Sequence, residues 1–520
     1  MRAHIYGKPR VAAEVFTSIG PHWEDVLWKS VKPSFDHETC AGLNLAYIHT
    51  FTCSPVSMGI PGQEYFAGTH FNPNVTWWDM AAESIVMYMN RCQFLLQQGR
   101  FVADACYYYG DHIPNIAQRK EADPAGALPG YDYDVLDETN LLQLSYDGTS
   151  LVLPSGSVYR MLVLPDHKIL SLRVLQKISD LVRAGATVSG TKPSRTASLT
   201  GAPEREAEFQ RLADELWGVS SEECGKRRVG SGTVLWGTTA RDVLKGHGLA
   251  ADCAWEGPDD AFGFIHRQTD ASDVYFLSNR SEAAAQAAFS FRITGRQPEF
   301  WNPLTGDIRD VTDYAAVGDA TSIPIAFAPY GSLFVVFRKP WQDPAGTKDC
   351  SDYAPVLEIE GPWELAFDPQ WGGPAVTEFP ALQSWAEHPE EGIRHYSGTA
   401  TYTKAFDLPE DVRGSDTKWQ LDLGTVHEIA SVRLNGKALG VLWTPPFQVE
   451  VTDALKEKDN LLEIAVVNNW PNRLIGDAGL PEAQRLTRTN VTKFTKDMPL
   501  TPSGLLGPVR LLIGKGSKSI

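Results

Sequence analysis

The chain is 520 residues long and 43% hydrophobic, with a mean hydropathy of -0.23, which is the composition of a folded protein and not of a disordered one. A formal net charge of -17, with no offsetting cluster of Lys and Arg, argues against a nucleic-acid partner, because a polyanion is repelled. No run of about 18 apolar residues is present to span a membrane, and at roughly 100–200 residues per domain the length implies three or four domains.

In chain order, 1–6 reads as the last turn of a helix and 7–9 as a turn. Mostly apolar runs at 10–16 and 43–50 read as strands of a parallel sheet covered on both faces. Between them 34–42 supplies a short helix, with Ser34 or Asp36 as its cap and Gly42 as its stop. A long helix follows at 79–99, capped by Asp79 and closed by Gly99. Its apolar residues Ile85, Tyr88, Met89, Cys92, Leu95 and Leu96 recur at three and four. Residues 1–99 thus form a βα architecture. A strand at 101–109, a loop at 115–134, a helix near 137–142, a strand at 158–164, a helix at 171–184, strands at 186–189 and 232–236 and a helix at 239–245 make a second α/β domain with a parallel sheet at 100–250. From 262 the period becomes two. Strands at 262–267, 274–278, 288–292 and 333–337 place a small β-sandwich at 251–340. Residues 341–354 read as a linker. A second all-β domain fills 355–518, with strands at 399–406, 418–423, 428–434 and 461–467.

The seven cysteines, at 40, 53, 92, 106, 224, 253 and 350, are odd in number and show no CxxC spacing, which speaks against a zinc site and a disulfide framework. Residues 1–20 hold no continuous apolar stretch, since Glu14 and Gly20 interrupt it. The chain as written therefore carries no export signal and reads as cytoplasmic.

Candidate chemistry gathers near the N-terminus. Glu14 stands where a βα strand ends, the place where catalytic carboxylates sit in barrels. Its neighbours Val15 and Phe16 are expected to shut out solvent and raise its pKa, as suits an acid at neutral pH. The competing reading is a structural carboxylate. His49 ends the second strand and fits either a substrate hydroxyl or a core position. The stretch with Glu64, His70, Asn72, Asn74, Trp77 and Trp78 puts carboxylate, amides and flat aromatics within sixteen residues. Sugar sites need these groups for hydroxyls and for the apolar faces of rings. A Trp pair at a helix start is equally a core anchor. Asp111, His112, Asp132, Asp134 and Asp137 are a weak calcium signal whose spacing is not that of an EF-hand. Neither a dinucleotide or P-loop glycine pattern nor HExxH occurs.

Taken together, Ala13-Glu14-Val-Phe-Thr17-Ser18, His49-Thr50, Gly68-Thr-His70-Phe-Asn72, Trp77-Trp78, Gly130-Tyr-Asp132-Tyr-Asp134, Arg160-Met-Leu-Val-Leu164-Pro165 and Trp301-Asn-Pro303 resemble the bacterial α-L-rhamnosidases of glycoside hydrolase family 106. The resemblance implies an α/β plus all-β multidomain protein. Its parts are the C-terminal portion of a (β/α)8 barrel, a flavodoxin-like α/β domain and two β-sandwiches, the last a galactose-binding-like jelly roll. It implies inverting hydrolysis of a rhamnose-containing glycan by two carboxylates, Glu14 matching one, with calcium associated with the active site and no organic cofactor. It also implies that most of the barrel, including the second carboxylate, lies outside this stretch. The chain is therefore expected to be a fragment whose first hundred residues are loosely held, and intact family members to be periplasmic or secreted. In the jelly roll, Val432-Arg-Leu-Asn435-Gly436, Trp443-Thr-Pro445-Pro446-Phe447 and Asn468-Asn469-Trp470-Pro471-Asn472 describe a polar and aromatic rim. There Trp443, Asn468 and Trp470 either bind sugar or plug the sandwich against its neighbour. The alternative for the whole chain is a non-catalytic carbohydrate-binding or scaffold protein.

Overall fold

Two short strands near the N-terminus, Ala12–Val15 and Leu45–Ile48, pair in parallel, with Glu14 opposite Tyr47 and Val15 opposite Ile48. They belong to a computed structural model that describes residues 2–20, 23–67, 71–110, 118–197, 200–219, 223–343, 353–409 and 418–514. The helix between the strands, Lys32–Cys40, follows a π-helical turn at Leu27–Val31 and carries Pro33 in its first turn. Neither Ser34 nor Asp36 caps it. Asp36 is buried inside the helix, where Lys32 Nζ donates to it at 2.7 Å and the Tyr88 hydroxyl also donates. Lys32 Nζ further reaches Tyr330 O at 2.6 Å and Ser332 Oγ at 3.0 Å, so one buried ammonium ties this helix to a sandwich loop. The long helix is Trp78–Leu96. Its cap position is Trp77, which makes no side-chain cap bond; Asp79 sits in the first turn, where its charge suits the helix dipole. Ile85, Tyr88, Met89, Cys92 and Leu96 are buried as their spacing requires, and Leu95 is half-buried.

The chain then turns at Gly99, whose φ is +57° and where a Cβ would fall 2.1 Å from Gln268 O. Glycine is needed there on both counts. Arg267 donates to Gln98 O and Gly99 O, and Arg100–Phe101 joins the sheet of the first sandwich. The strand expected from 101 therefore starts only at Ala105–Tyr108. In space the second sheet runs Tyr133–Leu136, Ala105–Tyr108, Met161–Val163, Thr187–Ser189 and Gly232–Trp236 in parallel, with Gly225–Val229 antiparallel at the edge. Its helices Glu138–Gln143 and Leu172–Ala184 are capped by Asp137 and Ser171, which accept from the third helical N–H. A further helix, Glu204–Trp217, buries Phe209, Leu212, Ala213, Leu216 and Trp217.

The first sandwich packs Cys253–Trp255, Ala285–Phe291, Ala320–Phe327 and Ala315–Val317 against a six-stranded sheet built on Asp273–Asn279 and Ser332–Pro340. Trp341, placed in the linker from sequence, instead packs edge-on against Tyr314 at 4.8 Å, and Tyr353–Glu358 already pairs with Arg510–Gly514; the linker's 344–352 lie outside the described residues. In the last sandwich, sheets of four and six strands enclose Trp363, Trp385, Tyr396 and Tyr402, all fully buried.

One hydrophobic core crosses these units. It holds Val15, Phe35, Trp77 and Tyr88 from the N-terminal segment, Phe276 and Phe334 from the first sandwich, and Trp443, Trp470 and Phe494 from the second. The loosely held first hundred residues expected from sequence are thus not observed.

Candidate active site

Glu14 lies at the C-terminal end of its strand and is exposed, with the Thr17 hydroxyl donating to its carboxylate at 2.5 Å. An uninterrupted strand would send Phe16 to the same face as Glu14. Phe16 instead adopts φ +67°, a left-handed conformation rare for a bulky residue. Stacking on Phe71 at 5.3 Å holds it there. Val15 and Phe16 are therefore both buried and turned away from Glu14. The solvent shielding expected from these two neighbours is absent, because the backbone turn removes them.

The neighbouring strand end is fastened to this one by the His49 N–H, which donates to Val15 O at 3.0 Å. His49 meets Tyr65 edge-on at 5.6 Å, and Tyr65 meets Phe66 at 4.7 Å. Phe51 meets Trp78 edge-on at 5.9 Å. Tyr47, Phe51, Tyr65 and Phe66 are all exposed large aromatics, and Trp78 is half-buried. An open carboxylate, a histidine and a set of exposed aromatic rings thus share one end of the parallel pair. Tyr47, Phe51, Tyr65 and Phe66 were not singled out from sequence, although they interleave with the residues that were.

The other expected contacts serve the loop's own architecture. Glu64 is buried, and Asn490 clasps its backbone, accepting from its N–H and donating to its C=O at 2.8 Å each. Beside it Pro61–Gly62 pairs with Arg488–Thr489. Asn72 is buried and its side-chain oxygen accepts from Asn74 N–H at 2.9 Å, an Asx turn. Asn74 donates to Pro61 O and offers its own carbonyl to Trp470 Nε1 at 2.7 Å. Trp77 is buried edge-on to Phe71. His70 lies outside the described residues, as do Asp111 and His112.

The rim expected on the last sandwich is an interior. Trp443 is 4% exposed and packs edge-on against Tyr88 of the long helix at 5.6 Å. Trp470 is 3% exposed and meets Trp371 at 4.8 Å. Asn468 accepts from Gly398 N–H and donates to Tyr396 O and Ser503 Oγ, which leaves no face for a sugar. The two tryptophans are covered by the N-terminal segment, through Tyr88 and Asn74, and Asn468 is held within the sandwich itself.

Three carboxylates of the weak calcium signal have structural partners. Lys120 donates to Asp132 at 2.6 Å, His4 and Tyr159 hold Asp134, and Asp137 caps its helix and accepts from Tyr6. Among the described residues no group of three or more His, Cys, Asp or Glu is placed to hold a metal.

The model of glycoside hydrolase family 106, described as alpha-L-rhamnosidase, matches residues 1–316, and that of the glycosyl hydrolase 2 galactose-binding domain-like family matches 387–493. The solved rhamnosidase from Novosphingobium sp. PP1Y is similar over 98% of this chain and 48% of its own, with 35% identity and a TM-score of 0.90. The "Putative beta-glucuronidase" of Formosa agariphila is 25% identical over 98% of this chain and 63% of its own length. The chain thus spans about half of the one and under two thirds of the other. A family match over most of the chain, on a fold shared with a solved member at 35% identity, places it: the chain belongs to glycoside hydrolase family 106, the alpha-L-rhamnosidase family.

Proposed function

We propose that the chain takes part in inverting hydrolysis of terminal α-L-rhamnosides. The observation that carries this reading is Glu14, exposed at the end of one strand of a parallel pair, with His49 at the end of the other and Tyr65, Phe66, Phe51 and Trp78 clustered on the segments that follow it. We read residues 1–99 as βα units of a (β/α)8 barrel, and the spatial order of the second sheet as flavodoxin-like, apart from its antiparallel edge strand. Aromatic faces cover the apolar side of a sugar ring, and His49 meets its hydroxyls. Glu14 is one of the two carboxyl groups. In an inverting site the two stand roughly 6.5–9.5 Å apart, so that water enters between one of them and the anomeric carbon. One takes the water's proton while the other protonates the leaving oxygen.

The test compares a chromogenic α-L-rhamnoside with the corresponding β-D-glucuronide, since one relative bears a glucuronidase name. Rhamnoside turnover should dominate, proton NMR should show the inverted anomer first, and Glu14→Gln should lose about 10²–10⁴ in rate. Near-normal turnover of that variant would return Glu14 to a structural role, and preferential glucuronide cleavage would overturn the substrate.

A further inference from the structure

Away from the Glu14 loop, the N-terminal helix Lys32–Cys40, the loop around 120–129 and the first sandwich enclose a cleft of about 410 Å³. That volume lies in the range of small-molecule sites, roughly 300–1,000 Å³. Its walls are joined to each other. Lys120 Nζ donates to Cys40 O at 2.9 Å and to Asp132 at 2.6 Å, and His37 meets Glu121 at 2.7 Å. The cleft is therefore preformed, which lowers the entropic cost of filling it.

Its lining has two kinds of surface. Trp255 is fixed edge-on to Phe262 at 5.7 Å and to Phe264 at 6.4 Å, with its Nε1 donating to Pro258 O at 3.0 Å. Beside this aromatic wall Gly263 keeps the floor open, since a Cβ there would meet Cys40 Sγ at 3.0 Å and Arg280 Nε at 3.2 Å. Arg280 is exposed and makes no ion pair with a described residue. The nearby Cys40 gives it no counter-charge, because burial pushes that thiol up to about 12. Asp260 is likewise exposed with no described partner. The remaining charges are committed: Asp259 to Arg241 at 2.9 Å, Glu121 to His37, and Asp123 to the N–H groups of Ala127 and Leu128. A guanidinium fork and a free carboxylate beside a fixed indole match a ring with hydroxyls on its edge and C–H groups on its face. Four lining carboxylates against two cations, Lys120 and Arg280, disfavour an anionic ligand.

We propose that this junction cleft is a second carbohydrate site that takes an uncharged pyranose unit, contacted by Trp255, Arg280 and Asp260. The choice of sugar rests on the glycan-directed reading above, and it adds a holding point built from residues that do not line the Glu14 loop.

Hydrogen exchange of the full chain tests it, with methyl α-L-rhamnopyranoside and methyl β-D-galactopyranoside as neutral probes and D-glucuronic acid as the charged one. At least one neutral glycoside should protect the segments 120–129 and 255–264, and the uronic acid should not. Arg280→Ala and Asp260→Ala replace exposed side chains, so the fold should persist. Each should weaken that protection about tenfold in probe concentration, the loss of one charge-assisted hydrogen bond. Protection confined to 45–78, protection unchanged in both variants, stronger protection by the uronic acid, or none from either neutral glycoside would each overturn the site. The hydrolysis reading fails separately: protected junction segments with no rhamnoside turnover would remove that reading and leave the cleft standing.

Discussion

His266 is buried between two carboxylates. Asp252 meets its Nδ1 at 3.0 Å and Asp273 its Nε2 at 3.2 Å. The Tyr275 ring stacks on it at 3.9 Å and donates its hydroxyl to Asp252, while Arg296 and Gln268 contact Asp273 and Arg292 lies 3.6 Å from Asp252. Burial alone would lower the imidazole's pKa, but the two carboxylates outweigh it and hold the ring charged up to about 9. Arg292 also bridges to Asp104 of the α/β domain at 2.8 Å. Burial pushes Asp104 up to about 6 even so, because desolvation exceeds what Arg292 returns. A group whose folded pKa is raised stabilises the fold fully below its ordinary value, near 6.5, and loses that contribution as pH rises through about 9. An imidazole held that far above its ordinary value contributes roughly 3 kcal/mol. Thermal melts should therefore show stability falling between pH 7 and 10 beyond that of His266→Gln. The variant should be less stable at pH 6 and lack this alkaline step. Parallel curves for the two proteins would show that the charged imidazole contributes nothing.

Among the elements, the joint between the long helix and the last sandwich is closed by Trp443 packed edge-on against Tyr88. Trp443→Ala should cost about 3–5 kcal/mol in denaturant melts, the usual range for a buried aromatic. Trp470→Phe keeps a smaller aromatic ring but loses the bond to Asn74 O and part of the buried volume, and should cost at least about 1 kcal/mol. Values near zero for both would mean that this joint is not closed in solution. These tryptophans also mark the limit of what sequence reveals. The Pro-rich setting of Trp443 reads correctly as a turn, whereas Asn468-Asn-Trp-Pro-Asn472, read as a turn too, leads into the helix Pro471–Ala478; whether such a segment faces water or another unit depends on contacts hundreds of residues away. The helix at 79–99 was legible because its apolar face follows a local period. Glu204–Trp217 carries the same period and could have been found. The strand Tyr133–Leu136 was hidden at the end of an expected loop, because Asp132 before it and Asp134 within it look solvent-exposed until Lys120, His4 and Tyr159 are placed on them. The position of Glu14 was legible from its strand, whereas its exposure was not, since the left-handed turn at Phe16 has no signature in a bulky residue.

For the molecule as a whole, the shared core ties the first hundred residues to the last hundred. Limited proteolysis followed by mass spectrometry should find 1–99 as resistant as 419–514, and Trp470→Ala should make both susceptible together. Early release of the N-terminal segment from the unmutated chain would contradict the shared core. The same long-range tie fixes the candidate site. The loop that displays Tyr65 and Phe66 is gripped near its base by a strand pairing from Arg488–Thr489 and by the amide of Asn490. The side chain that the sandwich lends here, Asn490, anchors backbone, so the sandwich acts as a mould for the loop above it. Two relatives with identical rings at the open end would differ in which glycan they accept once their C-terminal arms set that loop at different heights. On the hydrolase reading proposed above, specificity would be inherited partly from a module that carries none of these rings.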